Sequence, residues 1–244
     1  MNALKLAQKL CLVREYLLPL GCAVCGHALL DTDEAWTGLC RRCAGRFRLE
    51  QGRRCAVCGQ PLISELKICM SCRKAEERSY DGMTLLYPYA GMAQRLLAAY
   101  KFGKHRVLAR FFSEKMLAAA SGSTGGGVPY GEAGTAWVPV PPRAGKIKEA
   151  GWDQVELIAG TLERFHKTPV LRCLTRMASK TQKKLGKTER VTNLKGRITC
   201  VKKPPEQAIL FDDVFTTGST MNVCAEVLKT AGTKKVYGLC LFYD

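Results

Sequence analysis

The chain has 244 residues, 47% of them apolar and 24% charged, a composition able to bury a core and long enough for one main domain with a smaller appendage. Its 38 Lys and Arg against 21 Asp and Glu give a formal net charge of +17, which sets aside strongly basic partners and favours polyanions: nucleic acid, phosphorylated metabolites or an anionic membrane face. Thirteen cysteines raise a secreted disulfide scaffold as a class, but no stretch ahead of the first pair reads as a cleaved signal peptide, and eight of the thirteen fall into Cys-x-x-Cys pairs. Paired thiols of this kind read as metal ligands in a cytoplasmic protein.

In chain order, residues 1–20 carry Leu4, Leu6, Leu10, Val13, Leu17 and Leu18 at helical spacing, broken by Lys5, Lys9, Arg14 and Glu15. That is a short amphipathic helix, too charged and too short to span a membrane. Between residues 22 and 72 the sequence repeats itself. Cys22-Ala23-Val24-Cys25-Gly26 returns as Cys55-Ala56-Val57-Cys58-Gly59, each followed by a second pair, Cys40 and Cys43, then Cys69 and Cys72. Two such turns bring four thiolates to one point, as tetrahedral zinc requires, so Cys22, Cys25, Cys40 and Cys43 are expected to hold one ion and Cys55, Cys58, Cys69 and Cys72 a second. Redox or disulfide chemistry is the competing reading. His27 is read as a surface histidine rather than a ligand.

A domain boundary is expected near residue 80, giving a ribbon domain over 1–80 and a larger domain over 81–244. The larger domain's first clear element is a helical pattern over 92–120 with a break at Gly103-Lys104, and the Gly- and Ser-rich residues 121–135 are expected to be an exposed loop. Then follow a strand (136–141), a helix (155–165) and strands at 169–174 and 208–214. A helix (219–231) and a strand (235–241) close the series. The alternation predicts an α/β fold with a parallel sheet and flanking helices, and the unbroken Ala208-Ile209-Leu210-Phe211 run a central strand buried on both faces.

The segment Asp212-Asp213-Val214-Phe215-Thr216-Thr217-Gly218-Ser219-Thr220 sits at the carboxyl end of that strand, where ligands of parallel sheets bind. Backbone amides at the following helix start, with Thr216, Thr217, Gly218, Ser219 and Thr220, form a cradle for a 5′-phosphate. Asp212 and Asp213 are placed to accept from vicinal ribose hydroxyls and to bind Mg²⁺. An ordinary Asp-rich loop with a Ser or Thr cap is the plain alternative. Lys101, Lys146 and Lys148 are candidates to neutralise a pyrophosphate, with a solvated surface charge the plain alternative for each. Residues 176–203 are the densest positive stretch, a flap over a sugar phosphate or a track for a nucleic-acid backbone, with Lys183, Lys184, Lys187 and Arg190 as candidate contacts. Trp36, Phe47 and Tyr80 are candidates for base stacking or for packing within the ribbons.

Residues 212–220 resemble the phosphoribosyl pyrophosphate signature of type I phosphoribosyltransferases. Arg143, after the strand ending at Val140, resembles in position the pyrophosphate loop of phosphoribosyltransferases, a solvated surface charge again being the plain alternative. The resemblance extends along nearly the whole chain to the ComF (ComFC) family, through the cysteine ribbons, Tyr100-Lys101-Phe102, Val138-Pro139-Val140-Pro141, Gly151-Trp152-Asp153-Gln154, Thr181-Gln182 with Leu185, Arg190 and Asn193, and the Asp212 loop. It implies a type I phosphoribosyltransferase-like domain behind a double zinc ribbon, and a part in natural competence, handling incoming single-stranded DNA on the cytoplasmic side. Implied ligands and partners are phosphoribosyl pyrophosphate with Mg²⁺, single-stranded DNA, and a competence helicase with the uptake machinery at the inner membrane. A transferase passing ribose 5-phosphate to a base or amine with release of pyrophosphate is the alternative. It needs a base-recognising hood, for which the ribbons are the available segment. The family's usual Arg-Gly-Phe-Asn-Gln is here Ala150-Gly151-Trp152-Asp153-Gln154, and Asp153 is expected to repel a pyrophosphate unless a metal intervenes.

Overall fold

The structure, a computed structural model, describes residues 3–19, 21–49, 52–63, 66–74, 78–103, 105–123, 131–177 and 196–244. Its central sheet has four parallel strands: β1 (Gly82–Pro88), β2 (Thr135–Pro139), β5 (Gln207–Phe215) and β6 (Lys235–Tyr243), in the order β1-β6-β5-β2. One of the two central strands, β5, is the apolar run read as doubly buried, and the other is β6. Along β5 the pleat sends Ile209 and Phe211 into one core and Ala208 and Leu210 into the other, all fully buried. β1 was not expected. Pro88 disguised it, yet a proline is tolerated at the last residue of an edge strand, and β1 pairs in register with β6 up to Pro88 and Tyr243.

On the first face lie α5 (Met92–Lys101), α6 (Leu108–Ala118) and α8 (Gln154–His166), which bury Leu96, Phe112 and Ile158 against the sheet. On the second lies α9 (Ser219–Thr230), with Cys224 and Leu228 inward. Beside it is an antiparallel hairpin of β3 (Leu174–Arg176) and β4 (Ile198–Cys200). The expected strand over 169–174 is reduced to two hydrogen bonds about Trp137, from Leu171 N to its carbonyl and from its N to Pro169 O. Pro169 has no N–H to extend that ladder, and the chain turns at Cys173 into the hairpin instead. The helical pattern over 92–120 splits as expected near Gly103, then ends in a wider π-type turn over Ala119–Ser123, with Ala119 and Ala120 buried.

The N-terminal helix α1 (Ala3–Leu17) lays Ala7, Cys11 and Leu12 on Trp36, whose indole donates to Glu114 and is covered by the Arg110 guanidinium at 4.0 Å. Trp36 sits on α2 (Thr32–Thr37), capped by the Asp31 carboxylate. Two shorter helices, α3 (Arg41–Ala44) and α4 (Met70–Lys74), start just after Cys40 and Cys69 and carry Cys43 and Cys72, and α7 (Lys146–Ala150) precedes α8. The first ribbon's Cys22, Leu39, Cys40 and Phe47 join the core under α5 and α6, while the second's Cys55 and Cys58 join the core under α9. Among the described residues no helix is long and apolar enough to cross a membrane.

Candidate zinc and phosphate sites

Each cysteine quartet converges. The four sulfurs of Cys22, Cys25, Cys40 and Cys43, and those of Cys55, Cys58, Cys69 and Cys72, lie within 4.8 Å of one another in their own group. A tetrahedral zinc with Zn–S near 2.3 Å sets its sulfurs about 3.8 Å apart. Cys25 and Cys40 are 3.7 Å apart and Cys58 and Cys69 3.8 Å, so the two four-thiolate sites fit two zinc ions, each within its own repeat. The amides of Cys69 and Cys72 donate to the Cys55 and Cys69 sulfurs, a pattern that holds thiolate charge. His27 is exposed and outside both quartets.

The loop after β5 forms a second site. Gly218 caps α9 in the left-handed conformation at φ 74° and has no side chain to cap it, so the nearest acceptor for the first amide, Ser219 N, is Thr217 Oγ1 at 3.4 Å. A Cβ there would meet the Phe215 ring at 2.7 Å, so this corner admits only glycine. Thr217 and Ser219 share a 2.8 Å hydroxyl hydrogen bond, and residues 214–221 with Asp212 and Cys240 line a small recess of about 40 Å³. Amides at a helix start, hydroxyls and a close backbone make an anion cradle.

The two acids face opposite sides of the sheet, as the pleat requires. Asp213 points to the α5 face, where Lys101 Nζ lies 2.8 Å from its carboxylate. Asp212 points toward α9, accepts the Asp213 amide at 2.8 Å, and is half-buried. Burial, and then the adjacent Asp213 charge, push the Asp212 carboxyl up to about 8. Arg176, at the end of β3, is close enough to feel Asp212. Burial holds its guanidinium below the ordinary value, with neighbouring Arg197 adding to the effect. Sequence reasoning placed Arg176 only within a charged stretch, because nothing local announces the hairpin that carries it to the loop.

Other candidates fall differently. Arg143 is exposed and paired with Glu149 across the turn before α7, so it stands at the sheet's ligand end but already holds a counter-ion. Asp153 is 4% exposed, caps α8 by accepting from Val155 N and Glu156 N at 2.9 and 3.0 Å, and pairs with Lys146. Its carboxylate is engaged by a helix start and a lysine, as a cap's is, although its charge is still felt at Asp212. The Tyr100-Lys101-Phe102 and Gly151-Trp152-Asp153-Gln154 motifs meet. The Tyr100 hydroxyl donates to the Gln154 carbonyl at 2.7 Å and its ring meets Trp152 edge-on at 5.3 Å. The stacking candidates Trp36, Phe47 and Tyr80 are all buried packing residues, at most 5% exposed. Among the described residues the exposed aromatic side chains are Tyr16 and Phe102, the latter next to Lys101. Lys183, Lys184, Lys187 and Arg190 lie outside the described residues.

The class of the N-terminal part follows from this geometry and from comparison with known proteins: residues 13–73 match the family described as "Double zinc ribbon domain". Beyond the ribbons, the chain is 29% identical over 213 residues to "Competence protein ComFC" of Bacillus subtilis (strain 168), covering 84% of this chain and 82% of that one. It is 28% identical over 222 residues to "Competence protein F" of Haemophilus influenzae, covering 87% and 93%. These matches bear out the resemblance to the ComF family.

Proposed function

We propose that the protein serves natural competence as a cytoplasmic single-stranded DNA-handling protein whose α9 loop captures phosphoribosyl pyrophosphate. The observation that carries this reading is the start of α9 behind a left-handed Gly218, facing a recess lined by the Asp212 carboxyl and the hydroxyls of Thr216, Thr217, Ser219 and Thr220. An anion cradle with an acid at its edge suits a sugar phosphate. The names of the two relatives support the competence context.

Of the two acids, Asp212 lines the recess and offers an oxygen donor to a hard divalent cation such as Mg²⁺, while Asp213 holds Lys101 on the other face of the strand. When bound, that ion supplies positive charge to the pyrophosphate. Lys101, freed from Asp213, and Arg176 supply the protein's share. The positive excess of the chain provides the electrostatic part of DNA binding, and Phe102, exposed beside Lys101, provides an aromatic face for a base.

Calorimetry with phosphoribosyl pyrophosphate and Mg²⁺ tests the site: Asp213→Ala is expected to weaken binding at least about tenfold, and unchanged affinity refutes the assignment. Oligonucleotide affinity is expected to fall steeply from low to moderate salt; a flat response refutes DNA binding by charge. Pyrophosphate release with a panel of bases and amines separates a binder from a transferase.

A further inference from the structure

The second ribbon continues into β1 through Arg78, Ser79 and Tyr80, and this stretch runs beside the α9 loop. The Ser79 amide donates to Asn222 Oδ1, in the first turn of α9, at 2.7 Å. Arg78 Nη2 reaches the Thr217 carbonyl at 3.5 Å, the limit of a hydrogen bond, while its Nε is buried with no partner. Tyr80 is 5% exposed, its hydroxyl is also buried and unpartnered, and it lies 3.7 Å from where a Cβ on Gly218 would stand. Two buried donors at one loop corner with nothing to donate to are rare in a folded protein. Among the described residues no carboxylate pairs with Arg78.

We propose that Arg78 is an anion-binding residue of the phosphate loop, with Tyr80 positioning the Gly218 corner, so that sugar-phosphate capture and the second zinc site form one thermodynamic unit. The proposal rests on the sugar-phosphate reading above. A planar guanidinium matches phosphate oxygens two at a time, and its present hold on one carbonyl at 3.5 Å is readily exchanged for a phosphate held by the neighbouring amides. An anion that draws Arg78 inward fixes the linker and, through it, the ribbon. Reciprocity requires that an intact second ribbon tighten the anion by the same factor. The first ribbon packs under α5 and α6 on the opposite face and is outside this coupling.

The test uses the full zinc-loaded chain, with ribose 5-phosphate and inorganic phosphate as probes. In calorimetry, Arg78→Ala is expected to weaken both about 10- to 100-fold, Arg78→Lys less, and Tyr80→Phe severalfold. In chelator-driven zinc release, ribose 5-phosphate is expected to slow the phase of the second ribbon and leave the first unchanged, and to lose that effect in Arg78→Ala. The phases are assigned with Cys25→Ser and Cys58→Ser. Should Arg78→Ala fail to fold, the lysine variant and the wild-type release kinetics decide. Slowing of both phases alike, or of neither, overturns the coupling. Wild-type binding left unchanged in the Arg78 variants overturns this inference alone, whereas a wild-type chain that takes neither anion overturns the sugar-phosphate reading and this inference with it.

Discussion

The two ribbons share a sequence and a turn but not a neighbour. In both copies of Cys-Ala-Val-Cys-Gly the glycine is left-handed, at φ 73° for Gly26 and 71° for Gly59, and its amide closes onto the first cysteine's carbonyl at 2.8 and 2.9 Å. Beyond that pentapeptide they part. The first ribbon sends Leu39 and Phe47 under α5 and α6, with the Tyr87 hydroxyl donating to the Phe47 carbonyl at 3.1 Å. The second is set on β1 and the α9 loop. Gln60 donates to the Asp244 carbonyl at 3.1 Å, and the Asp244 amide in turn donates to the Phe215 carbonyl at 3.1 Å. Duplication therefore reproduces the metal geometry, while the residues outside the repeated pentapeptide decide which face of the sheet each ion braces.

The comparison is broken most directly by removing one ligand from each ribbon. Cys25→Ser and Cys58→Ser are both expected to halve the zinc content by elemental analysis, because each quartet closes on its own ion. Only Cys58→Ser is expected to weaken ribose 5-phosphate binding, by more than about tenfold, since losing the ion unfolds the ribbon that braces the loop. Equal losses in the two variants would show that the ribbons do not divide the labour.

The parts of this arrangement readable from sequence are those written in short-range spacing. Eight cysteines in register predict two quartets, and a run such as Ala208-Ile209-Leu210-Phe211 predicts a strand buried on both faces; the structure contains both. The site beyond the loop was illegible for a physical reason. Arg78 and Tyr80 meet Thr217 and Gly218 across about 139 residues of chain, and nothing local to a linker residue encodes that meeting. The capping role of Asp153 is hidden in the sequence because a cap and a ligand-facing acid look alike until the helix start is seen. Tyr80 was weighed for stacking because an aromatic's burial depends on where the ribbon docks.

A gentler test leaves the metals in place. Alanine at Gly26 must take a positive φ, a strain of about 1 kcal/mol, and its Cβ meets nothing within 4 Å. Alanine at Gly59 carries the same strain and sets a Cβ 2.3 Å from the Met83 carbonyl oxygen, so the ribbon must shift off β1. Urea melts are expected to show Gly59→Ala costing about 2–4 kcal/mol and Gly26→Ala about 1. Costs within error of each other would mean that the second ribbon's seat on β1 gives way freely.

The smallest effect separates the two acids, one on each ribbon's face. Asp213 has Lys101 as partner, whereas Asp212, on the second ribbon's side, is pushed up to about 8 by burial and the Asp213 charge. A carboxyl that binds its proton more tightly folded than unfolded stabilises fully below its unfolded value, near 4, and loses that contribution as pH rises through the folded one. Wild type is therefore expected to lose stability between about pH 4 and 8, and Asp212→Asn to escape that loss. The gap between them should widen by about 1–2 kcal/mol from pH 5 to 8, solvent at the mouth of the recess screening the remainder. Melts that run parallel across this range would show that Asp212 ionises without penalty, and that the α9 face is no drier at the loop than the face bearing Lys101.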